Sequence, residues 1–245
     1  MKEKVKPYQS STMSKKAQVE LMFDTISGEY DGLNRVISLG TDLKWRKKVV
    51  QSVNAHGAKN ILDIATGTGD LAIAFAQNTK ADRIVGLDLS EGMLHMAQQK
   101  IQLNPNLGER LTFVKGDSEA LPFEDNSFEA ITVSFGVRNF ENLEVGLEEI
   151  YRVLTPGGLF VVLETSVPMK FPMKQGYAIY TKYILPLVGR VFSKDKVAYR
   201  YLSESAAVFP FGQAFNNILT KIGFNVQAFE PQTFGVATIY KASKA

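Results

Sequence analysis

Hydrophobic positions in the middle of the chain follow two alternating periods. Short β-branched runs predict five strands, at about 60–65, 83–88, 111–115, 128–135 and 159–164. Apolar residues at helical spacing between them predict helices at 70–78, from the N-cap residue Ser90 to about Leu103, and at 142–154. This alternation is typical of an α/β fold, in which a mostly parallel sheet has helices on both faces.

The segments on either side of this core have different patterns. Residues 1–16 are polar and basic and predict a flexible tail, followed by a single domain over 17–245. Helical spacing from Ala17 to Val53 predicts two or three helices before the sheet. An aromatic-rich helical insert is expected at about 170–221. The final strands, 224–229 and 234–240, are expected to form a hairpin whose turn is 230–233.

Composition excludes several classes of protein. The 245 residues carry 28 basic and 25 acidic side chains, and a net charge of +3 is too weak to indicate a nucleic-acid partner. The absence of cysteine excludes disulfides and thiolate catalysis. We find no signal-peptide pattern and no apolar run near the roughly 20 residues that cross a bilayer. The sequence therefore predicts a cytoplasmic protein without a metal site.

The candidate chemistry begins where the first predicted strand ends. That strand runs into Thr66-Gly67-Thr68-Gly69, and glycine at such a turn lets a ligand approach the backbone closely. The second strand ends at Asp88, nineteen residues after Gly69. An acidic residue at this position can accept hydrogen bonds from both ribose hydroxyls. The pattern predicts a site for a nucleoside-type cofactor.

Three further features favour S-adenosylmethionine over a dinucleotide. Asp63 lies inside the first strand, where it could accept backbone N–H groups of the glycine turn. Asp117 and Ser118 end the third strand, where an adenine edge would lie, and a tight turn at 155–158 precedes the fifth. A ligand without phosphate also explains why no lysine or arginine stands at the glycine turn. Two alternatives remain: Asp63 could simply cap a loop, and Ser134 could have a purely structural role.

Longer segments resemble one family within the class I methyltransferases. Five stretches are similar to signatures of the ubiquinone/menaquinone biosynthesis C-methyltransferases: 30–45, 134–139, 151–158, 198–205 and 233–240. The resemblance covers roughly 19–241. The chain departs from it with Asp42 in place of a common histidine, Thr155 in place of lysine, and Asp117-Ser118 in place of Asn-Ala. The positions that match the family's cofactor contacts are Thr66, Asp88, Asp117, Ser118 and Ser134.

The resemblance implies methyl transfer to a ring carbon of a lipid-tailed quinol. We favour demethylmenaquinol, with a ubiquinone-pathway benzoquinol as the alternative; an NAD-dependent oxidoreductase and a non-catalytic cofactor-binding protein are the remaining classes. We expect Arg138 to stabilise the developing phenolate and Asn139 to orient the ring, but Arg138 could equally pair with Glu164. Tyr30 and Asp31 would close the site, or merely pack and cap. His56 and His95 are expected at the surface.

The aromatic insert fits two interpretations. Its apolar residues between 171 and 192 are flanked by lysines and an arginine, a pattern typical of helices that rest on anionic membranes. An amphipathic lid packed on the core is the more common explanation of such a pattern. The first interpretation predicts peripheral contact with the inner membrane surface through 170–196. The sequence is also compatible with a homo-oligomer.

Overall fold

The computed structural model describes residues 5–184 and 196–245. Three helices precede the sheet, as the periodicity predicts: α1 (Lys15–Ile26), α2 (Tyr30–Ser38) and α3 (Thr41–His56). The Ser14 hydroxyl accepts from Ala17 N and so caps α1. The predicted tail therefore overlaps α1 by two residues. The backbone N–H of Tyr8 also donates to Gln18 Oε1, at 2.8 Å.

Strands and helices then alternate along the chain. Their bounds are β1 (Asn60–Ile64), α4 (Asp70–Asn78), β2 (Arg83–Asp88), α5 (Glu91–Gln102), β3 (Leu111–Lys115), β4 (Phe128–Ser134), α6 (Leu143–Val153) and β5 (Leu154–Thr165). The chain continues with α7 (Met173–Ile179), α8 (Lys196–Val208), α9 (Gln213–Ile222), β6 (Phe224–Val226), β7 (Glu230–Gln232) and β8 (Ala237–Lys244).

One sheet organises the molecule. Its order is β3-β2-β1-β4-β5-β8-β6, and β7 also pairs with β8. The first five strands are mutually parallel and β8 is antiparallel to β5. The carboxyl ends of β1, β2 and β4 therefore share one edge, where the order reverses from β1-β2 to β1-β4. Ligands bind at such a switch point in open α/β sheets.

Both faces of the sheet are covered, which explains why its central strands β1, β2 and β4 are mostly apolar and buried. Leu62 and Ile64 of β1 pack on the side of α6 and α9, whereas Ile61 packs on the side of α3 and α4. A third cluster joins α1 to α5 and α8 through Met22, Met93 and Tyr201, among others. Helix α1 is thus attached next to the switch point.

Two expectations about the strands are corrected by the structure. The segment 230–233 is not a hairpin turn, because Glu230–Gln232 is strand β7 and Glu230 pairs with Ile239. Strand β5 begins at Leu154 rather than 159. Its pairing with β4 jumps from Leu154–Phe128 to Leu159–Ala130, so the Pro-Gly-Gly segment forms an irregularity within the strand.

The expected insert contains elements with different surroundings. Helix α9 packs Phe215 and Leu219 into the core of the sheet, whereas α7 and the π-helical turn Tyr180–Ile184 lie beside α2. There the Tyr180 hydroxyl donates to Ile37 O, at 2.7 Å. The part of the expected membrane-contact segment at 185–195 lies outside the described residues. Among the described residues, no helix is long and apolar enough to cross a membrane.

Candidate cofactor and acceptor site

The glycine turn between β1 and α4 uses left-handed backbone conformations. Gly67 has φ +59°, and Gly69, the residue before α4, has φ +79°. A Cβ on Gly69 would lie only 2.6 Å from the Phe113 ring, so this glycine permits close packing of the turn on β3. Gly67 instead lines a cavity at the switch point. The two glycines therefore have separate functions.

Asp88 lies at the carboxyl end of β2 and lines the same cavity. Its Oδ2 accepts from Gly67 N at 2.7 Å, and its Oδ1 accepts from Ser90 N at 2.9 Å. Burial raises the pKa of this carboxyl to about 6, although the backbone donors favour the charged form. Each oxygen keeps lone-pair capacity toward the cavity, because a carboxylate can accept about four hydrogen bonds.

Asp63 is placed differently from the sequence-based expectation. Instead of backbone N–H groups, its carboxylate accepts the hydroxyls of Thr66 and Thr132, each at 2.6 Å. Asp63 is fully buried behind the turn, and burial raises its pKa to about 6. Neither Asp63 nor Thr66 lines the cavity. These two residues stabilise the turn from its buried side.

The cavity at the switch point brings together most of the predicted cofactor residues. Its lining includes Gly67, Asp88, Asp117, Ser118 and Ser134. The Ser134 Oγ is buried and, within the described part of the chain, has no hydrogen-bond partner. A buried hydroxyl without a partner indicates a position where a polar ligand forms the missing hydrogen bond.

Helix α1 forms a wall of this cavity that the sequence analysis missed. Four of its residues line the cavity: Lys16, Val19, Glu20 and Phe23. Lys16 Nζ lies 2.5 Å from Asp117 Oδ2, and Lys15 Nζ donates to the carbonyls of Arg138 and Phe140, at 3.0 and 2.7 Å. The only available signal was lysine at the start of an amphipathic segment, which is usually a solvated face.

A second, larger cavity adjoins the first. Its volume is about 550 Å³, within the range of small-molecule sites. Tyr30 and Phe135 line both cavities, so these two rings stand at the boundary. The remaining wall of the larger cavity is mostly apolar and comes from α2, α3, α7, α8 and the end of β5; it includes Ile37, Trp45, Val167, Tyr177, Ala206 and Val236.

Arg138 lines the larger cavity and is also ion-paired. Its Nη1 lies 2.5 Å from Glu164 Oε1 and donates to Phe135 O at 2.8 Å. Burial opposes the charge, but Glu164 outweighs it, and the pKa of Arg138 is raised. The predicted pairing with Glu164 is therefore present. Arg138 also lines the cavity, so its ion pair with Glu164 does not prevent it from contacting a ligand there.

The other catalytic candidates are distributed around the boundary. Asn139 lines the smaller cavity rather than the larger one, and its Oδ1 accepts from Tyr201 at 3.2 Å. Asp31 lines neither cavity; it accepts from Thr68 Oγ1 at 2.6 Å and lies 2.6 Å from Lys100 Nζ. Asp31 thus contacts the glycine turn through Thr68 rather than facing either cavity.

An ion-pair network joins the larger cavity to the start of α4. Asp42 and Arg46 line that cavity, and Asp42 lies 2.6 Å from Arg35 Nη1. Arg46 Nη1 and Lys100 Nζ lie 2.5 and 2.6 Å from the two oxygens of Asp70. These neighbours, together with a hydrogen bond from Lys100, outweigh burial and lower the pKa of Asp70. Asp42, which stands where histidine is common in the family that the chain resembles, is therefore paired with arginines.

Other predicted features lie away from both cavities. His56 and His95 are exposed, as expected. The turn at 155–158 stands at the amino end of β5, opposite the cofactor edge, so it does not serve the site directly. Among the described residues, no cluster of acidic or histidine side chains could hold a metal ion.

The sheet order and the cavity at its switch point define the fold of the class I methyltransferases. A solved methyltransferase from Thermotoga maritima has this fold, with a TM-score of 0.64, 18% identity, and coverage of 92% of this chain and 99% of its own. Another from Aquifex aeolicus has a TM-score of 0.58 at 16% identity, covering 82% and 89%. S-adenosylmethionine, predicted from the sequence, is the cofactor of this class.

More specifically, the chain belongs to the ubiE/COQ5 methyltransferase family, whose model matches residues 11–244. A demethylmenaquinone methyltransferase of Bacteroides fragilis is 44% identical over 99% of this chain and 98% of its own length. A similarly named protein of Porphyromonas gingivalis is 42% identical over 99% and 98%. In Geobacter sulfurreducens, a ubiquinone/menaquinone biosynthesis C-methyltransferase is 41% identical over 91% and 87%.

Proposed function

We propose that this protein methylates a ring carbon of a lipid-tailed quinol, with demethylmenaquinol as its substrate. The observation that carries the proposal is the contact between the two cavities at Tyr30 and Phe135. A cavity at the glycine turn lined by Asp88, Asp117 and Ser134 suits S-adenosylmethionine, and a mostly apolar cavity of about 550 Å³ suits a bicyclic aromatic ring beside it.

In this proposal the cofactor residues divide into two groups. Asp88 binds the ribose hydroxyls, and Asp117 and Ser118 contact the adenine edge. Ser134, at the end of β4, forms a hydrogen bond with the remainder of the cofactor. Gly67 allows the cofactor to approach the backbone. Asp63, Thr66 and Gly69 act indirectly, because they shape the turn without lining the cavity.

The acceptor side must activate a neutral phenol. Removing the proton of the hydroxyl beside the reacting carbon directs electron density to that carbon, and Arg138 stabilises the resulting phenolate. Asn139 and Tyr30 orient the methyl donor and the ring at the boundary, while Asp31 fixes the glycine turn. The sulfonium charge disappears as the methyl group leaves, so an apolar, water-poor cavity favours the transition state.

Peripheral membrane contact would bring such a substrate to the cavity. Met169, Phe171, Ile179 and Tyr183 are exposed large hydrophobic residues near its α7 side. Lys170, Lys174 and Lys182 stand among them and are also exposed. This combination favours an anionic lipid surface.

The assay uses reduced demethylmenaquinone with a short prenyl tail and S-adenosylmethionine carrying a deuterated methyl group. We expect the labelled methyl group on the naphthoquinol ring in the mass spectrum of the product. A benzoquinol precursor of ubiquinone, assayed in parallel, tests the alternative substrate. Turnover of the benzoquinol alone would replace the naphthoquinol assignment. Absence of label on both would refute quinol methylation, and preferential binding of NAD would refute the cofactor.

A further inference from the structure

A hydroxyl–carboxylate pair ends strand β5 at the wall of the larger cavity. Thr165 lines this cavity, and its Oγ1 donates to Glu164 Oε1 at 3.0 Å. The backbone N–H of Thr165 donates to the same oxygen at 2.7 Å. Glu164 itself is fully buried and does not line the cavity. Thr165 therefore stands between the cavity and a buried carboxylate.

The reaction requires a proton acceptor, and among the described residues two carboxyl groups, those of Asp42 and Glu204, line the larger cavity. Arg138 remains protonated, because its pKa lies above an already high ordinary value. Asp42 also faces the cavity, but Arg35, Arg46 and the Ser38 hydroxyl occupy its carboxylate. Glu204, which also lines the cavity, is partly exposed on α8 and lies 3.9 Å from Arg200. The Thr165–Glu164 pair is the one that adjoins Arg138.

We propose that Thr165 relays the proton of the quinol hydroxyl to Glu164, which makes Thr165 a catalytic residue and Glu164 the proton acceptor behind it. This inference rests on the proposed function and adds the proton path to it. The quinol O–H bond breaks as its proton moves to Thr165 Oγ1. At the same time the original hydroxyl proton of Thr165 moves to Glu164 Oε1.

The charges around Arg138 lower the cost of this transfer. Before it, the guanidinium is paired with the carboxylate of Glu164; after it, the guanidinium faces the phenolate. The negative charge moves from one neighbour of Arg138 to another, so no buried cation is left unpaired. Glu164 Oε2 is buried and lacks a hydrogen-bond partner among the described residues. It offers Arg138 a second acceptor once Oε1 carries a proton.

The remaining steps balance atoms and charge. The S–CH₃ bond breaks as the ring carbon forms its new C–CH₃ bond, which gives S-adenosylhomocysteine and a neutral dienone. The ring carbon then loses its hydrogen as a proton to water, and the ring oxygen becomes a phenolate. That oxygen takes the proton back from Glu164 through Thr165. One proton is released in total.

The test compares Thr165→Val, which removes the hydroxyl while keeping the branched shape, with Thr165→Ser, which retains it. General-base assistance contributes about 10²- to 10⁴-fold. We therefore expect Thr165→Val to lower kcat about 10²-fold at neutral pH, with the quinol KM and the cofactor Kd within about twofold. Thr165→Ser should restore most of the turnover. The Val variant's deficit should shrink toward the phenolic pKa of about 10, because the quinol then ionises unaided.

Glu164→Gln provides the second arm, since its amide oxygen can still accept from Arg138 but is no longer a base. If both residues lie on one path, combining Glu164→Gln with Thr165→Val should cost little more than either change alone. Full activity of Thr165→Val, or a deficit equal at every pH, would overturn the relay. Cofactor binding and circular dichroism report folding; if Glu164→Gln does not fold, the Thr165 pair decides alone. A wild-type protein that methylates no quinol would instead refute the proposed function.

Discussion

At the scale of single residues, the site depends on two carboxyl groups with similar pKa values and different surroundings. Burial raises the pKa of the Asp63 carboxyl and that of the Asp88 carboxyl to about 6. Asp63 is enclosed by two threonine hydroxyls, whereas Asp88 accepts backbone N–H groups and faces the cavity. Below pH 6 both become neutral, but only the protonation of Asp88 directly removes acceptor capacity from the cofactor site.

Asp63 should make the stability of the protein depend on pH. Its pKa is 3.8 in the unfolded chain and about 6 in the folded one, so the unfolded state releases its proton first as pH rises. The contribution of Asp63 to stability is therefore greatest below pH 4 and is lost through pH 6, by about 3 kcal/mol for a shift of about two units. Urea unfolding from pH 4 to 7 should show a loss about 3 kcal/mol larger in wild type than in Asp63→Asn, which keeps the similar contribution of Asp88. Parallel curves would contradict the assignment.

Arg138 should be sensitive even to a conservative change. Lysine can pair with Glu164, but it lacks the planar fork that also donates to Phe135 O. We expect Arg138→Lys to lower turnover at least about tenfold, with cofactor affinity preserved. Arg138→Ala leaves Glu164 buried without its cation and should destabilise the fold by about 3–5 kcal/mol. Turnover and urea unfolding measure the two effects; an active Arg138→Lys variant would remove Arg138 from the mechanism.

At the scale of elements, the sequence predicts best the segments whose own residues determine their structure. Strands β1 and β2 are buried on both faces, and their apolar runs end at the observed places or within one residue. Strand β7 contains Glu230 and Pro231, which favour a turn locally, and it forms because β8 offers a partner. Pairing with a distant strand is not encoded in a local pattern.

The candidate site follows the same division. Asp88, Asp117 and Ser134 were predictable because strand ends of a parallel sheet meet at one edge. Lys16 and Phe23 were missed, since their proximity depends on how α1 docks across α5. Likewise, Asp31 proved to be a partner of the glycine turn only because α2 lies against Thr68. The positions of side chains contributed from outside the sheet can be determined only from the tertiary structure.

The docking of α1 can be tested at Asp24. Its Oδ1 accepts from Ser90 Oγ, at 2.5 Å, and from Gly92 N, at 2.9 Å, so it fastens α1 to the start of α5. Each hydrogen bond to a charged group contributes about 1.5–3 kcal/mol. Asp24→Ala should therefore raise amide hydrogen exchange in 15–26 and speed cofactor dissociation about tenfold. The exposed neighbour Thr25 provides the control: Thr25→Ala should change neither rate. Equal effects of the two variants would show that Asp24 does not hold α1.

At the scale of the whole molecule, charge and apolar exposure are unevenly arranged although the net charge is only +3. The exposed hydrophobic residues of 169–183 alternate with lysines close to the acceptor cavity. A lipid-tailed substrate would leave its ring in that cavity and its tail outside. The proposed membrane surface and the proposed acceptor site therefore lie on the same side of the protein.

Vesicle flotation tests this arrangement. We expect wild type to float with vesicles rich in phosphatidylglycerol and to bind less at high salt, because the lysines are exposed and screened. Replacing Phe171 and Ile179 together by serine removes apolar surface from the lid and should weaken flotation several-fold. Leu103→Ser is the matched control, since Leu103 is 83% exposed and Phe171 is 82% exposed, but Leu103 lies at the end of α5. If the control lost as much binding as the double variant, or if wild type did not float, the insert would act only as a lid. Catalysis in detergent, where no membrane is needed, should be unchanged by the double substitution if its effect is on membrane contact alone.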